Sequence, residues 1–249
     1  MPRERLPPPL PPETRTVGQL VAEALRLYGA RFWPSLALGI GPALLGIAAA
    51  ELDDPARAII VLGAGPLVLA SSYAGAVALI RPIHGGRYVP VALTVGAIAF
   101  LPLLVARLWP VPGSYLVAAA WLALFGLAVP AALVERRGFL DSIRRGVELG
   151  RADFVHAVGS LATLAITIVL TGLVLVFVLR ELSDQAVRVA AFLALVVLAP
   201  VGVLGAALLY VDQAARVESG TRPRRKRDAD LHPAVEPDVA GSSDPEVEP

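Results

Sequence analysis

Residues 131–154 read AALVERRGFLDSIRRGVELGRADF and form the one strongly polar interruption in the middle of the chain. Long uncharged apolar runs lie on both sides of this segment. An earlier stretch, residues 16–33, reads TVGQLVAEALRLYGARFW and has the same plan when Phe154 is aligned with Phe32. The pattern predicts a duplicated unit in which an amphipathic surface helix leads into a membrane span.

The composition is that of a membrane protein. Of the 249 residues, 56% are hydrophobic and 17% are charged, and the mean hydropathy is +0.67. Soluble domains carry charge on about a quarter of their residues. The chain contains no cysteine, which excludes disulfides, thiolate metal sites and cysteine nucleophiles.

Six uncharged apolar runs are long enough to cross about 30 Å of hydrocarbon as helices. They lie at 32–50, 58–80, 89–106, 114–134, 154–179 and 189–211. The sequence therefore predicts an all-α polytopic protein with six spans and two cytoplasmic amphipathic helices, at 16–30 and 138–150, in a parallel pseudo-repeat. Pro90 and Pro102 bracket the third run, so a re-entrant pair in place of spans three and four is the alternative.

The two ends of the chain differ in composition from the membrane domain, which we expect over 16–218. Residues 1–15 include six prolines among the first twelve and are predicted to be a disordered tail, with a docking motif as the alternative interpretation of PPPLPP. Residues 219–249 begin with a basic cluster and continue as an acidic tail that is also predicted to be disordered. Thr16 and Gln19 fit a capping box, which predicts that the first helix starts there.

The distribution of basic residues predicts the orientation. All but four of the 22 lysines and arginines fall on flanks and loops that would share one side of the membrane. The positive-inside rule assigns that side to the cytoplasm. We therefore expect a multi-pass protein of the bacterial cytoplasmic membrane with both termini cytoplasmic. The four exceptions are Arg57, Arg107, Arg180 and Arg188.

Some of the cytoplasmic arginines are candidates for contacts with lipid headgroups, because each arginine near an anionic surface contributes about 1 kcal/mol of attraction. The candidates are Arg26, Arg31, Arg144, Arg145, Arg151, Arg224 and Arg225. The alternative is that the helix at 138–150 has a self-paired polar face that only fixes topology, with Asp141–Arg145 and Arg144–Glu148 pairs at i,i+4. In the same way Asp212 and Arg216 are predicted to pair within the last helix.

A mildly polar stripe runs along the fifth span. Small residues and threonines recur there every four positions, with a histidine and a serine beside them: His156, Gly159, Ser160, Thr163, Thr167 and Thr171. Close helix packing with hydroxyls bonded to backbone carbonyls is one interpretation. The other is the lining of a cavity for an amphiphile, together with Ser71, Ser72 and Tyr73. For His156 we expect an interfacial hydrogen bond.

Catalytic motifs are missing from the sequence. The three histidines stand in different segments, and no HExxH, GxSxG or phosphate-loop pattern occurs. None of the six apolar runs contains a charged residue, which argues against ion-coupled transport. We expect no enzymatic activity, no cofactor or metal and no nucleic-acid partner. Membrane lipids are the expected partners, and another membrane or membrane-associated protein is a further one.

Three stretches, TVGQLVAEALRLYGARFWPSL, VPAALVERRGFLDSIRRGVELGRADFVHAVG and LLYVDQAARVE, resemble the glycerophosphoryl diester phosphodiesterase membrane domain family. The motifs are Glu-x-x-Gly at Glu135–Gly138 and Tyr-x-Asp-x-x-x-Arg at Tyr210–Arg216. The resemblance implies a six-span membrane module without the family's separate catalytic domain. It implies a non-catalytic role associated with lipid or glycerophosphodiester handling. A transporter or permease for a small molecule or lipid is the alternative, and a membrane-bound phosphodiesterase is the third.

Overall fold

The computed structural model describes residues 11–83, 86–111, 113–179, 181 and 183–219. Within these ranges the regular secondary structure is helical and contains no strand. Six segments are long and apolar enough to cross a membrane: Phe32–Glu51, Ala56–Ile80, Gly86–Leu108, Ser114–Val134, Phe154–Leu179 and Gln185–Glu218. The chain is thus an all-α polytopic membrane protein, as the sequence predicted. Spans three and four both have full crossing length.

The described residues form ten α-helices and two short 3-10 helices, at Pro12–Thr14 and Gly86–Tyr88. The α-helices are α1 (Val17–Ala30), α2 (Phe32–Glu51), α3 (Ala56–Gly63), α4 (Gly65–Ile80), α5 (Val89–Leu108), α6 (Ser114–Phe125), α7 (Ala128–Val134), α8 (Phe139–Ala152), α9 (Phe154–Leu179) and α10 (Asp184–Glu218). The capping box that starts α1 is confirmed, since Gln19 N donates to Thr16 Oγ1 and Thr16 N donates to Gln19 Oε1.

Prolines divide two of the spans into helix pairs. Pro66 lies in the first turn of α4, directly after the break that separates α3 from α4. Pro130 lies in α7, just after the break at Gly126 and Leu127. A proline lacks the N–H for the i→i−4 bond, and its ring clashes with the carbonyl four residues earlier, so the helix ends or bends there. Pro42, Pro102 and Pro200, in contrast, lie inside continuous helices.

The long helix α10 lies at the centre of the bundle and packs against α2, α4, α9, α1 and α8. Its closest crossing is with α2, where Gly39 lies against the backbone of Val196. A Cβ added at Gly39 would lie 2.1 Å from the carbonyl oxygen of Val196. Glycine is therefore required for α2 and α10 to approach to this distance.

Two membrane faces can be assigned from the helix ends. The α1–α8 face carries α1, α8 and the end of α10, and Leu20, Leu149 and Tyr210 share one hydrophobic cluster there. The opposite face carries the ends of α2 and α5 and the starts of α3, α6 and α10. At that face Arg188 Nη1 lies 2.8 Å from Glu51 Oε1. Both ends of the described chain lie at the α1–α8 face.

The two predicted units have matching geometry. Helices α1 and α8 each have 14 residues and each lead into a span after a single non-helical residue. Those junction residues have similar backbone angles, φ −126° and ψ 49° at Arg31 and φ −147° and ψ 76° at Asp153. Ala24 and Gly146, which are equivalent in the sequence alignment, are both buried.

The structure shortens the predicted N-terminal tail. Pro12–Thr14 form a 3-10 helix and Arg15 is only 6% exposed, so regular structure begins before the predicted boundary at residue 16. The earlier residues, 1–10, and most of the predicted C-terminal tail, 220–249, lie outside the described residues. Helix α10 continues past the end of the predicted apolar span at residue 211 and reaches Glu218, in agreement with the predicted position of Asp212 and Arg216 in this helix.

Helix α9 is the most exposed span. Only 6% of its apolar window is buried against other helices. The half that lies toward the opposite face exposes Val169, Leu173 and Phe177 by 57%, 59% and 63%. Large apolar side chains at this exposure are suited to contact with lipid chains rather than with water.

Candidate functional site

Two motifs that are distant in sequence meet at the α1–α8 face. Tyr210 Oη donates to Glu135 Oε1 at 2.8 Å across a separation of 75 residues. The same oxygen accepts from Arg145 Nε at 3.1 Å, and Glu135 Oε2 accepts from Arg137 Nε at 2.6 Å. Glu135 therefore ties the end of span four and the middle of α8 to α10.

These hydrogen bonds determine the charge state of Glu135. Burial raises the pKa of its carboxyl, but the bonds from Tyr210, Arg137 and Arg145 outweigh burial and hold the pKa below its ordinary value. For Arg145 burial lowers the pKa, and the carboxylates of Glu148 and Glu135 raise it further than burial lowers it. Both groups are charged at neutral pH, and the cluster is an ionic contact between helices.

A second polar cluster joins the N-terminal segment to α10 and to the junction before α9. Arg15 Nη1 lies 2.6 Å from Asp212 Oδ1, and these side chains are 6% and 0% exposed. Arg216 donates to the backbone carbonyl of Arg15 at 2.9 Å and forms an ion pair with Asp153. Asp153 Oδ1 also accepts from the backbone N–H of His156 at 3.1 Å, which caps the start of α9.

This second cluster differs from the sequence prediction, which paired Asp212 with Arg216 inside one helix. The structure gives each of them a partner from a distant part of the chain, Arg15 for Asp212 and Asp153 for Arg216. The sequence analysis placed Arg15 in the N-terminal tail and did not predict its contact with Asp212. Gln213, which is fully buried and donates to the Asp153 carbonyl at 3.2 Å, was missed as well. No local signal marks either contact.

Helix α8 uses its charges differently from the predicted i,i+4 pattern. Arg145 is 13% exposed and pairs with Glu135 and with Glu148, the latter at 3.0 Å and i,i+3. The predicted Asp141–Arg145 and Arg144–Glu148 pairs do not form. The turn before α8, where Arg136 has φ 56°, places Glu135 next to Arg145. Arg145 is therefore committed to contacts inside the protein.

Arg144 and Arg151 are exposed and have no hydrogen-bond or ion-pair partner in the described part of the chain. At 100° per residue, Arg151 and Arg144 follow Leu140 around α8 by about 20° and 40°. Leu140 is 67% exposed. The buried face, with Ser142, Gly146, Leu149 and Gly150, lies on the other side of the helix. Arg144 and Arg151 thus lie at the boundary between an exposed apolar edge and the polar side.

The other headgroup candidates are placed as follows. Arg26 pairs with Glu23 at 2.6 Å within α1, and this hydrogen bond raises the pKa of Arg26. Arg31 donates to the backbone carbonyl of Leu79. Arg224 and Arg225 lie outside the described residues. Of the seven candidates, Arg144 and Arg151 are therefore the ones whose guanidinium groups could bind a lipid headgroup without breaking a described contact.

The stripe on α9 divides into two parts. Ser160 is buried, whereas Thr167 and Thr171 are exposed and donate to the carbonyls of Thr163 and Thr167 at 2.8 and 2.7 Å. The threonine hydroxyls are therefore satisfied within the helix itself. Of the predicted partners of a cavity lining, Ser71 donates to the Leu67 carbonyl within its own helix and the buried Tyr73 donates to the Ala206 carbonyl.

Two cavities open at the opposite face instead. The larger has a volume of about 580 Å³ and lies between α2, α3, α4, α5 and α10. The smaller, of about 350 Å³, lies between α2 and α10. Gly46, Ala50 and Leu195 line both. None of the stripe residues on α9 lines either cavity.

Among the described residues, no group of three or more histidine, cysteine, aspartate or glutamate side chains is arranged to hold a metal ion. The polar clusters at the α1–α8 face consist of carboxylates already bonded to arginines. Their geometry supports joining helices rather than acid–base chemistry on a substrate. No protein-family model, curated protein or solved structure matches this chain, so the resemblance to the glycerophosphoryl diester phosphodiesterase membrane domain rests on the residues quoted for it.

Proposed function

We propose that this protein is a non-enzymatic membrane module that associates with anionic lipid through α8. The observation that carries the proposal is the position of Arg144 and Arg151, exposed and beside the apolar edge at Leu140. An interfacial helix with this arrangement places its cations at the depth of phosphate headgroups while its apolar edge contacts acyl chains. The second unit thereby acts as a lipid-sensitive element of the bundle.

The test is retention of phosphatidylglycerol by purified protein. Reversing both arginines, in R144E/R151E, should weaken retention by about 3–4 kcal/mol at low salt, because each change removes roughly 1 kcal/mol of attraction and adds a similar repulsion. The effect should shrink at high salt as the Debye length shortens. Equal retention by the wild type and R144E/R151E would show that α8 does not bind anionic lipid through these arginines.

A matched control separates a site from general charge. The double variant R81E/R87E changes the net charge equally on a loop of the same face, and both residues are exposed. A site on α8 predicts that R144E/R151E loses far more lipid than R81E/R87E. Equal losses would indicate attraction by the whole basic surface.

The proposal includes an orientation in which the α1–α8 face is cytoplasmic in a bacterial cytoplasmic membrane. The absence of cysteine makes this testable by labelling intact cells with an impermeant maleimide. Cysteines at Asp53 and Ser183 should react, and cysteines at Arg151 and Ser219 should not. All four positions are exposed. Ser142 is unsuitable as a reporter because it is fully buried.

The proposal also holds that the chain has no phosphodiesterase activity of its own. Purified protein should not hydrolyse glycerophosphodiesters with or without divalent metal. Turnover that a single substitution in this chain abolishes would contradict the proposal.

A carrier of a small molecule or lipid is the second candidate, and the large cavity at the opposite face favours it. A carrier exposes its binding site to the two sides in turn, so a cysteine at Leu69, in the cavity wall, should become reachable from both faces. Reaction from the opposite face alone would favour the non-transporting module.

A further inference from the structure

The larger cavity has the composition of a site for an acyl chain. Its walls are apolar for most of their length and include Pro42, Ala49, Val61, Leu69, Leu104 and Leu195. From Ala50 at the mouth to Pro42, α2 extends about 12 Å into the membrane at 1.5 Å per residue. A volume of about 580 Å³ is within the range of small-molecule sites in proteins, about 300–1,000 Å³.

Two arginines complete the lining where the cavity meets the opposite face. Arg57 is held in place, since its Nε donates to Ala49 O at 3.0 Å and its Nη2 to Leu52 O at 2.8 Å. Its remaining nitrogen, Nη1, lies 3.2 Å from Asp54, whose side chain is 94% exposed. A solvated carboxylate in this position is easily exchanged for another anion.

Arg107 is the more available cation. It is exposed at the end of α5 and has no hydrogen bond or ion pair within the ranges that the structure describes. Trp109, 55% exposed, follows it at the membrane boundary, where tryptophan side chains are enriched. An apolar cavity that opens between one fixed and one unpaired guanidinium complements a ligand with an anionic head and an apolar tail.

The smaller cavity provides an internal comparison. It shares three wall residues with the larger one, but its arginine, Arg188, already pairs with Glu51 at 2.8 Å. Its charge is therefore satisfied within the protein. Leu195 lies over Gly46 between the two cavities, since a Cβ added at Gly46 would lie 2.9 Å from Leu195 Cδ1. Of the two cavities, the larger one therefore has an arginine available for an anionic headgroup.

We propose that the larger cavity binds an anionic phospholipid from the adjacent leaflet, with an acyl chain between α2 and α5 and its phosphate between Arg107 and Arg57. This site is independent of the proposed function, because it lies at the opposite face from α8. A lipid bound at this site differs from bulk lipid because its binding requires both an anionic headgroup and an intact cavity.

The experiment is titration of purified full-length protein in detergent with phosphatidylglycerol, phosphatidylcholine or soluble glycerol phosphate, read out by native mass spectrometry. R107Q should reduce the preference for phosphatidylglycerol over phosphatidylcholine by about fivefold, the loss expected for one arginine–headgroup contact. R188Q is the matched control and should retain the preference. R107Q is not expected to disturb folding, because the Arg107 side chain forms no hydrogen bond or ion pair in the described part of the chain.

A second variant tests the acyl chain. A49F places a ring in the wall of the larger cavity and should abolish the phosphatidylglycerol bound there, whereas R144E/R151E should remove lipid from α8 and leave the lipid in the cavity bound. An unchanged preference in R107Q would overturn the proposal. So would competition by glycerol phosphate as effective as that by the intact lipid, which would indicate a phosphate site without a chain. Loss in R144E/R151E alone, with A49F unaffected, would assign all bound lipid to α8 and likewise overturn it.

Discussion

The two repeated units share a backbone plan and differ in where their charges are used. In the first unit, Arg26 bonds to Glu23 and Arg31 to the carbonyl of Leu79, so both arginines have a partner within the protein. In the second unit, Arg144 and Arg151 of α8 remain exposed. A shared topology therefore does not imply a shared role, and it is the second unit that has cations available for an external ligand.

The units also differ in how their junctions are fixed. Asp153, between α8 and α9, caps α9 and pairs with Arg216 of α10. Arg31, the equivalent residue between α1 and α2, provides no side-chain cap and contacts α4 instead. The first unit is tied to α10 through Arg15, just before α1. Each unit thus contacts α10 by an ion pair, but from opposite ends of its surface helix.

The largest expected effect comes from breaking the buried contact of the first unit. Asp212→Ala should lower the free energy of unfolding by about 3–5 kcal/mol, because it leaves the buried Arg15 guanidinium without its carboxylate. The measurement is reversible unfolding in detergent micelles. The double change R15M/D212L, which removes both charges, should recover much of the loss. A single variant as stable as the wild type would show that the pair does not fix the first unit.

The next effect tests the Glu135 cluster of the second unit. Glu135→Gln should destabilise the protein by about 1.5–3 kcal/mol at neutral pH, since hydrogen bonds to charged groups contribute that much. Because the folded-state pKa of Glu135 is lowered, its contribution is present above the ordinary value of 4.5 and is lost as pH falls through the lowered pKa. Unfolding of wild type and E135Q should therefore converge at acid pH. A gap that persisted there would assign the effect to packing.

A third change tests the contact between α8 and span four. Gly146→Ala should cost about 1–3 kcal/mol by overpacking, since the new Cβ would lie 2.7 Å from the backbone N of Ala128. Gly29→Ala in α1 is the control, because nothing lies within 4 Å of that position. Gly29→Ala should be neutral or stabilising by up to about 1 kcal/mol. Thermal unfolding of both variants would distinguish the two helices.

The smallest effects concern the helix caps. Thr16→Ala should destabilise the protein by about 1 kcal/mol because it removes the capping box of α1. The N-cap residue of α8 is Gly138, which has no side chain to cap the helix, and its extended backbone, with φ −67° and ψ 174°, suits serine. Gly138→Ser should therefore stabilise by a few tenths of a kcal/mol. Chemical denaturation midpoints would reveal both signs, and a stabilising Thr16→Ala would contradict the comparison.

Features with a local cause could be predicted from the sequence. Hydropathy identified all six spans because about 20 apolar residues are needed to cross the bilayer, wherever the helices pack. Thr16 and Gln19 marked the start of α1 because both partners of a capping box lie within one turn.

Features that depend on packing could not be predicted. Arg15 appeared to belong to a proline-rich tail because its partner Asp212 is 197 residues away. Arg145 was assigned an i,i+4 partner, whereas the left-handed turn at Arg136 brings Glu135 to it. The larger cavity is lined by residues of α2, α3, α4, α5 and α10, so no pattern within a single helix encodes it.

The contact of Arg15 with Asp212 and of Arg216 with the Arg15 carbonyl has a consequence for biosynthesis. Insertion proceeds from the N-terminus, so α1 and α2 reach the membrane long before α10 is translated. During that interval the guanidinium of Arg15 stays in the aqueous phase, and the first surface helix is held by its own amphipathicity. The contacts between the first helix and α10 form only after α10 has been translated and inserted. Insertion of α10 therefore completes the assembly of the bundle. A chain that stops short of residue 212 leaves its first helix unsecured, and we expect membrane quality-control proteases to recognise that state.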